Sequence, residues 1–474
     1  MTFRQITGVA GDVRDVAPEI LETFSADLSG SLLYPGDEGY AEATLLWNGM
    51  IKKRPAAVVR AGDTEDVVRT INFVRENDLQ VSVRGGGHNI AGLALSDGGI
   101  TLDMSLMKGV EIDADARLAR VGAGCTLGDV DRATQEHGLA TTLGFVSETG
   151  VAGLTLGGGF GYLTRRFGWT VDDLEEVEIV TADGSVLRAS RTVNEDLFWA
   201  LRGGGGNFGV VTEFVYRLHE VGPEITAGLI AWPASEADGV LALYRRITES
   251  APPELTLVVL MRNAPPAPWL PEAAHGTPII VMVACHTGSL EQAEIDLAPI
   301  KSHGEPLADL IQVKGYAAQQ SMLDANQPKG MHYYWKSEFV SGLSDGLLEI
   351  YKAQFVDLEA PANQIVLFQL GGALSTHAED DGAMGNREAA FACVIQAMWP
   401  ETSPAGDANR DWVRNAWQAL RVYSTGGNYV NFQTEDEADS RTVESYRNNY
   451  ERLAAIKATY DPSNLFRVNR NIRP

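Results

Sequence analysis

Arg84-Gly85-Gly86-Gly87-His88-Asn89 follows a short stretch in which Leu79, Val81 and Val83 alternate with polar residues. That alternation predicts a half-buried strand. Three glycines at its end free the backbone from Cβ sterics. Successive N–H groups in such a loop turn the same way and form a nest for an anion. The imidazole of His88 stands beside that nest and can act as base, hydrogen-bond donor or nucleophile. The stretch points to a phosphate-bearing cofactor approached by one histidine.

Upstream of this loop, 57–60 read as a strand. Thr64 is placed to cap a helix carrying Val67, Val68, Ile71 and Val74 on one face. The result is a strand–helix–strand–loop unit. Downstream, strands are expected near 99–103 and 109–122, then a helix over 127–137 that Gly138 stops. A second glycine cluster occupies 150–161. A hairpin over 177–190 turns at Asp183-Gly184. A short helix containing Asp196-Leu-Phe-Trp-Ala-Leu-Arg202 leads into a third cluster, 203–209, and a strand over 210–216 follows.

Past residue 217 the glycine clusters stop. Long strands at 224–232, 254–262, 277–285, 331–339 and 363–370 alternate with helices near 234–248, 289–301 and 344–357, and a proline-rich loop fills 263–271. This pattern predicts a second domain on a mostly antiparallel sheet with covering helices. The last stretch holds Tyr429-Val-Asn-Phe432, a polar helix near 437–459 and a tail from Tyr460. At 474 residues the chain exceeds one ordinary core, in keeping with two domains.

The chain carries 63 acidic residues against 38 Lys and Arg, a net charge of −25. Such a balance weighs against unaided binding to nucleic acid or to an anionic membrane surface. Cys125, Cys285 and Cys393 are scattered and odd in number, and the eight histidines show no ligand spacing, so neither a disulfide framework nor a metal site is expected. The opening residues lack a signal core. The longest apolar runs, such as 279–285, are too short to cross a bilayer. A cytoplasmic location is the resulting expectation.

Gly204-Gly-Gly206-Asn-Phe-Gly209 spells GxGxxG, but with a helix before it and a strand after it. A dinucleotide fingerprint has the opposite order, which disfavours a nicotinamide site. Taken singly, each glycine cluster is an ordinary tight turn. Taken together, one ligand that needs close backbone approach accounts for all three.

Five segments in order then resemble the berberine-bridge-enzyme-like branch of the vanillyl-alcohol-oxidase flavoprotein family. They are Val83-Arg-Gly-Gly-Gly-His-Asn89, Gly150-Val-Ala-Gly-Leu-Thr-Leu-Gly-Gly-Gly-Phe-Gly161, the 196–209 stretch, Tyr429-Val-Asn-Phe432 and Tyr460-Asp-Pro-Ser-Asn-Leu-Phe-Arg467. The resemblance implies an α+β fold with an FAD-binding domain at 1–217. An antiparallel-sheet substrate domain with covering helices would follow at 218–425, and a segment at 426–474 would return to the first domain. It implies FAD, held by Arg84, Gly85, Gly86, Gly87, His88 and Asn89. Further cofactor contacts are implied at Thr149, Gly150, Gly153, Gly157, Gly158, Gly161, Gly206, Asn207, Gly209, Val211 and Asn469.

In the family the histidine matching His88 bonds covalently to the flavin 8α-methyl. Many members add a second link through a cysteine, but that position here is Val146, so a single bond through His88 is expected. Thr149 matches the position bordering the oxygen-reactive flavin carbon, where a small side chain admits dioxygen. Ser147-Glu148-Thr149 also matches an oxygenating subgroup. Glu148 is read either as an active-site group or as a solvated loop carboxylate.

Tyr429 and Asn431 match the family's Tyr-x-Asn motif and form the candidate catalytic pair, with Tyr429 as base. A phenol of pKa about 10 needs a nearby cation or a hydrogen-bond network for that task. Tyr333 and Trp335 share a strand face, and Gln369 ends another strand; these three are candidate substrate contacts. The implied activity is an oxidase. It would remove two electrons from an alcohol, amine, sugar or phenolic natural product and pass them to dioxygen, giving hydrogen peroxide. Small-molecule substrate and dioxygen are the implied partners, and oligomeric state stays open. The alternatives are a flavin-dependent oxygenase or oxidative cyclase of secondary metabolism, and a non-catalytic flavin carrier.

Overall fold

The computed structural model describes residues 3–356 and 362–474. Near its start, Ala57–Arg60 and Val81–Arg84 both run parallel to Ile100–Asp103, which lies between them, and Ser31–Leu33 pairs antiparallel at the edge. The helix Thr64–Glu76 links the two outer parallel strands and buries Val67, Ile71 and Val74, the face its spacing predicts. Its cap is Asp63 rather than Thr64. Asp63 is extended and its carboxylate accepts the Asp66 N–H, whereas Thr64 is already helical and donates its hydroxyl to Glu178 at 3.0 Å.

A second, antiparallel sheet runs Val186–Ser190, Leu174–Val180, Val210–Arg217, Leu118–Gly122, Val110–Asp113. The stretch 109–122 is therefore two strands. The chain reverses between them, with Arg117 at φ +54°. The helix Leu127–Gln135 opens on a reciprocal cap between Thr126 and Asp129 and ends before Gly138 at φ +65°.

The largest sheet runs Ala308–Asp309, Glu224–Pro233, Pro278–His286, Leu255–Asn263, Gln364–Gln369, Phe391–Trp399, His332–Val340, antiparallel at each pairing, and Gln312–Gly315 also pairs with Glu224–Pro233. Leu257, Val259, Met261, Ile280, Met282, Ile365, Leu367 and Ile395 pack against the helices Ala237–Thr248, Leu290–Lys301, Asp345–Val356 and Gly406–Leu420. Residue 357, the expected end of the third of these helices, lies outside the described residues. The strand Phe391–Trp399 and the helix Gly406–Leu420 were not expected from sequence. The strand is buried on both faces and shows no alternation to read.

The polar helix expected over 437–459 is two helices, Asp439–Tyr446 and Tyr450–Tyr460. It breaks at Arg447, which has φ +51° and turns its guanidinium to Thr425 O (2.6 Å) and Glu388 (2.7 Å). After the break the chain returns to the beginning. Leu453, Ile456, Leu465, Phe466 and Ile472 share one core with Val59, Val67, Val121 and Phe214. Among the described residues, no helix is long and apolar enough to cross a membrane.

Lys457 locks this return. Its ammonium is fully buried, 2.5 Å from Asp461, 2.7 Å from Asn207 O and 3.2 Å from Phe466 O. Asp461 in turn accepts the N–H groups of Leu465 and Phe466 at 2.8 and 2.9 Å. Removing one partner of such a pair strands the other charge in the interior. Lys457→Met is expected to lower unfolding free energy by about 3–5 kcal/mol in denaturant titrations and to open the last fourteen residues to protease. Unchanged stability would show that Asp461 is held by its backbone donors alone.

Candidate active site

The strand Val81–Arg84 delivers the loop 85–89 to one side of a cavity of about 400 Å³. Arg84 does not line it. Its guanidinium is buried against Asp103 at 2.8 Å across the parallel strand pair, so its role is to hold the strand end. Gly85, Gly86, Gly87, His88 and Asn89 all line the cavity. Gly87 sits at φ +70°, which favours glycine. The Asn89 side chain accepts the N–H groups of Ala91 and Leu93, at 3.1 and 3.0 Å, and folds the exit of the loop. The backbone N–H groups of Gly86, Gly87, His88 and Asn89 make no hydrogen bond among the described residues.

His88 stacks on Trp47 with ring centroids 5.1 Å apart, and its Nδ1 lies 3.5 Å from Thr149 Oγ1. Burial, helped by the nearby charge of Lys329, holds its pKa down at about 3. The ring is therefore neutral at physiological pH, with a lone pair available on one nitrogen.

The second glycine cluster divides in two. A β-carbon on Gly86 would lie 2.3 Å from Gly150 N, and one on Gly150 would lie 2.2 Å from Gly86 N; here the two clusters touch backbone to backbone. Thr149, Gly150 and Gly153 line the cavity, and a β-carbon on Gly153 would enter open space. Gly157, Gly158 and Gly161 do not line it. They make room for protein: the Asn431 amide at Gly157, Met384 at Gly158 and Leu143 O at Gly161, each closer than 3 Å to the point a β-carbon would occupy. At these three expected cofactor contacts the Cα faces protein and lies outside the cavity lining.

The third cluster contributes Gly206, Asn207 and Gly209, and Val211 follows from the strand Val210–Arg217. Asn207 ties the tail to this cluster: its amide donates to Gly204 O and Arg470 O, and its Oδ1 accepts Ile472 N–H at 2.9 Å. Asn469 donates to Gly206 O and Phe466 O. Around the same end of the cavity, Asn469 Oδ1, Tyr446 OH and Arg470 Nε are buried without a hydrogen-bond partner. Three unmatched polar groups, free loop N–H groups and glycines open to the cavity suit a polar, phosphate-bearing group such as FAD.

Tyr429 and Asn431 meet this site from the other side. Asn431 Nδ2 lies 2.9 Å from Gly153 O, 3.3 Å from Leu154 O and 2.9 Å from the Tyr429 phenol oxygen, which also accepts Gly159 N–H at 3.1 Å. Tyr429 lies just before a 3-10 turn, Val430–Phe432, and not in a strand. Its two donors favour phenolate, but burial outweighs them and pushes its pKa up to about 12. The network required of a base is present; among the described residues no cation acts on the phenol.

The large sheet forms the opposite wall through Leu260, Val281, Val366, Phe368, Val394 and their neighbours. Trp335 lines this wall and donates its indole N–H to Phe432 O at 2.9 Å. Tyr333 does not reach the cavity; it stacks on Trp47 at 3.6 Å and donates to Pro328 O. Gln369 is also turned away and accepts Leu257 N–H at 3.0 Å. Strand register explains the error, because Gln364, Val366 and Phe368 occupy the cavity face and Gln369 the other. Glu148 is exposed and outside the lining, whereas Val146 lies within it. Trp47, Arg262, Gln364 and Gln396 line the cavity and carried no motif that would have singled them out.

A family model described as "FAD binding domain" matches residues 55–190, and one described as "Berberine and berberine like" matches 428–473. The chain is 30% identical over 463 residues to an FAD-linked oxidoreductase of Dictyostelium discoideum, covering 97% of this chain and 98% of the relative. It is 31% identical over 464 residues to (R)-6-hydroxynicotine oxidase of Paenarthrobacter nicotinovorans, covering 94% and 97%. The crystal structure of 6-hydroxy-D-nicotine oxidase from Arthrobacter nicotinovorans superposes with a TM-score of 0.84 at 28% identity, covering 94% of this chain and 98% of that one. A variant of berberine bridge enzyme shares the fold, with a TM-score of 0.86 at 20% identity over 97% and 100% of the two chains.

The contact between Gly157 and Asn431 is open to direct test. A β-carbon at 157 would stand 2.3 Å from the Asn431 amide. Gly157→Ala is expected to cost about 1–3 kcal/mol of stability through overpacking. Truncating the opposing side chain, Asn431→Ala, should recover part of that loss in a double-mutant cycle. Strict additivity would mean that the amide moves aside without strain.

Proposed function

Because this chain belongs to the berberine-bridge-enzyme-like family of FAD-linked oxidoreductases, we propose that it is an oxidase of a small alcohol, amine, sugar or phenolic molecule with dioxygen as electron acceptor. The observation that carries this reading is the meeting of three glycine clusters, His88 and the Tyr429–Asn431 pair around one cavity with an apolar sheet wall. Bound FAD supplies a hydride acceptor at N5 and, once reduced, the electrons for conversion of dioxygen to hydrogen peroxide.

In this reading, residues 1–217 and 426–474 hold the cofactor and 218–425 hold the substrate. The free N–H groups of the loop 85–89 bind phosphate. Gly206, Asn207, Asn469 and Arg470 close over the same group from the tail side. His88 would form the only covalent tether, from a ring nitrogen to the flavin 8α-methyl. Making that bond would release one proton from the imidazole and one from the methyl group, with dioxygen as the two-electron oxidant. The neutral state of His88 leaves a lone pair for the bond. Val146 at the edge of the cavity offers no second nucleophile.

Tyr429 works as a phenol. With two donors already on its oxygen, its own proton is directed to an acceptor on the substrate, and it positions the carbon that loses hydride. Asn431 fixes that geometry by joining Tyr429 to the backbone carbonyls of Gly153 and Leu154. The aromatic surround of Phe145, Phe160, Phe368, Phe432 and Trp335 excludes water and suits a planar or apolar substrate body.

Two measurements test these assignments. Acid-precipitated wild-type protein should stay yellow, and His88→Ala should release its flavin into the supernatant. Quantitative release from the wild type would refute the tether. Tyr429→Phe should slow flavin reduction by about 10²-fold in stopped-flow mixing while FAD stays bound. An unchanged reduction rate would remove Tyr429 from the chemistry.

A further inference from the structure

On the sheet face that lines the cavity, five strands each place one residue in a single row. Ile279, Arg262, Gln364, Gln396 and Trp335 are successive cross-strand partners. The adjacent row, Val281, Leu260, Val366 and Val394, is wholly apolar. The polar members of the first row differ in how they are satisfied. Gln364 Nε2 donates to Gln396 Oε1, and Gln396 Nε2 donates to Gln327 Oε1, both at 2.9 Å. These amides form a relay from Gln364 through Gln396 to Gln327.

Arg262 has no such partner. Its Nε donates to Asn263 O at 3.2 Å, while its two terminal amino groups have neither a hydrogen bond nor an ion pair among the described residues. Among the described residues no carboxylate lines the cavity, although the chain holds 63 acidic residues. Burial works against the charge of Arg262 and no neighbouring anion offsets it. Arginine nevertheless stays protonated in proteins. Arg262 is half-buried at the cavity wall, and its unpaired terminal amino groups favour an occupant of the cavity that brings an anion. Its paired N–H groups match a carboxylate in a bidentate fork.

We propose that Arg262 anchors a carboxylate on the substrate, so that the enzyme acts on an apolar or aromatic molecule bearing an acid group. The acid lies on the Arg262–Gln364 row, and the body of the molecule covers Leu260, Val281, Val366 and Phe368 in front of Tyr429. This deepens the oxidase reading and rests on it for the substrate's fate, but the binding step is separable from turnover.

The test titrates the oxidised holoenzyme with benzoate, cinnamate and naphthoate and with the corresponding primary amides, following the perturbation of the flavin absorbance. Each amide matches its acid in shape and lacks the charge. At least one acid is expected to bind about tenfold or more tighter than its amide, the margin a charge-assisted hydrogen bond provides. In Arg262→Gln that ratio should fall towards one with the resting flavin spectrum unchanged, and Arg262→Lys should keep part of it. Equal affinities in the wild type, no spectral change with any acid at millimolar concentration, or full discrimination in Arg262→Gln would each overturn the assignment. Should Arg262→Gln fail to fold, the wild-type ratio and Arg262→Lys still decide. If the oxidase reading fails instead, no substrate class reduces the flavin while the preference for acids persists. If the anchor fails, turnover survives and the preference is absent.

Discussion

At Gly86 and Gly150 two distant backbone segments touch with no space for a β-carbon on either side. Everything around the cavity depends on that contact. It brings the loop that carries His88 against the short helix Val151–Leu156, and so places Thr149 beside the imidazole. The N–H groups of Gly86, Gly87, His88 and Asn89 beside this contact make no hydrogen bond among the described residues. A side chain at either position would separate the segments and move His88 with them.

The same economy of space recurs at Gly157, where the absence of a side chain admits the Asn431 amide. Asn431 and Tyr429 belong to the last fifth of the chain, yet they are fastened to backbone from its first half. Farther along, Asn207, Asn469 and the buried Lys457–Asp461 pair secure the tail over the third glycine cluster. The cavity is thus a seam closed by the returning C-terminal segment. Its stability and its chemistry rest on the same few backbone contacts.

Much of this organisation was legible in the residues. Between residues 57 and 217 several strands and helices follow from alternation and 3.6-residue spacing, though not the elements before 57, the two-strand division of 109–122 or the short helices Val151–Leu156 and Thr164–Phe167, and the glycine clusters point to one shared ligand. Phe391–Trp399 escaped because a strand covered on both faces has no polar side to mark it. The 437–459 region read as one helix because local propensity does not reveal that the Arg447 guanidinium must reach Thr425 and Glu388. Among the site residues, motif spacing does not distinguish glycines that face a ligand from Gly157, Gly158 and Gly161, whose Cα faces protein, nor does it show that Arg84 turns to Asp103. Gln369 was read in place of Gln364 because a strand shows its period but not which face it presents.

The sequence by itself determined the phosphate-binding glycine loop with His88 beside it, because that rests on local backbone freedom, and through its resemblance to a known family it marked FAD, Val146 and the Tyr429–Asn431 pair. Only the tertiary structure decided which side chains share the cavity. The polar row of Arg262, Gln364, Gln396 and Trp335 draws one residue from each of four strands, and its existence depends on register across the sheet. That Arg262 has no anion beside it among the described residues is likewise a property of the assembled wall. No single segment encodes it, because pairing between strands, and not composition along them, sets what each charge faces.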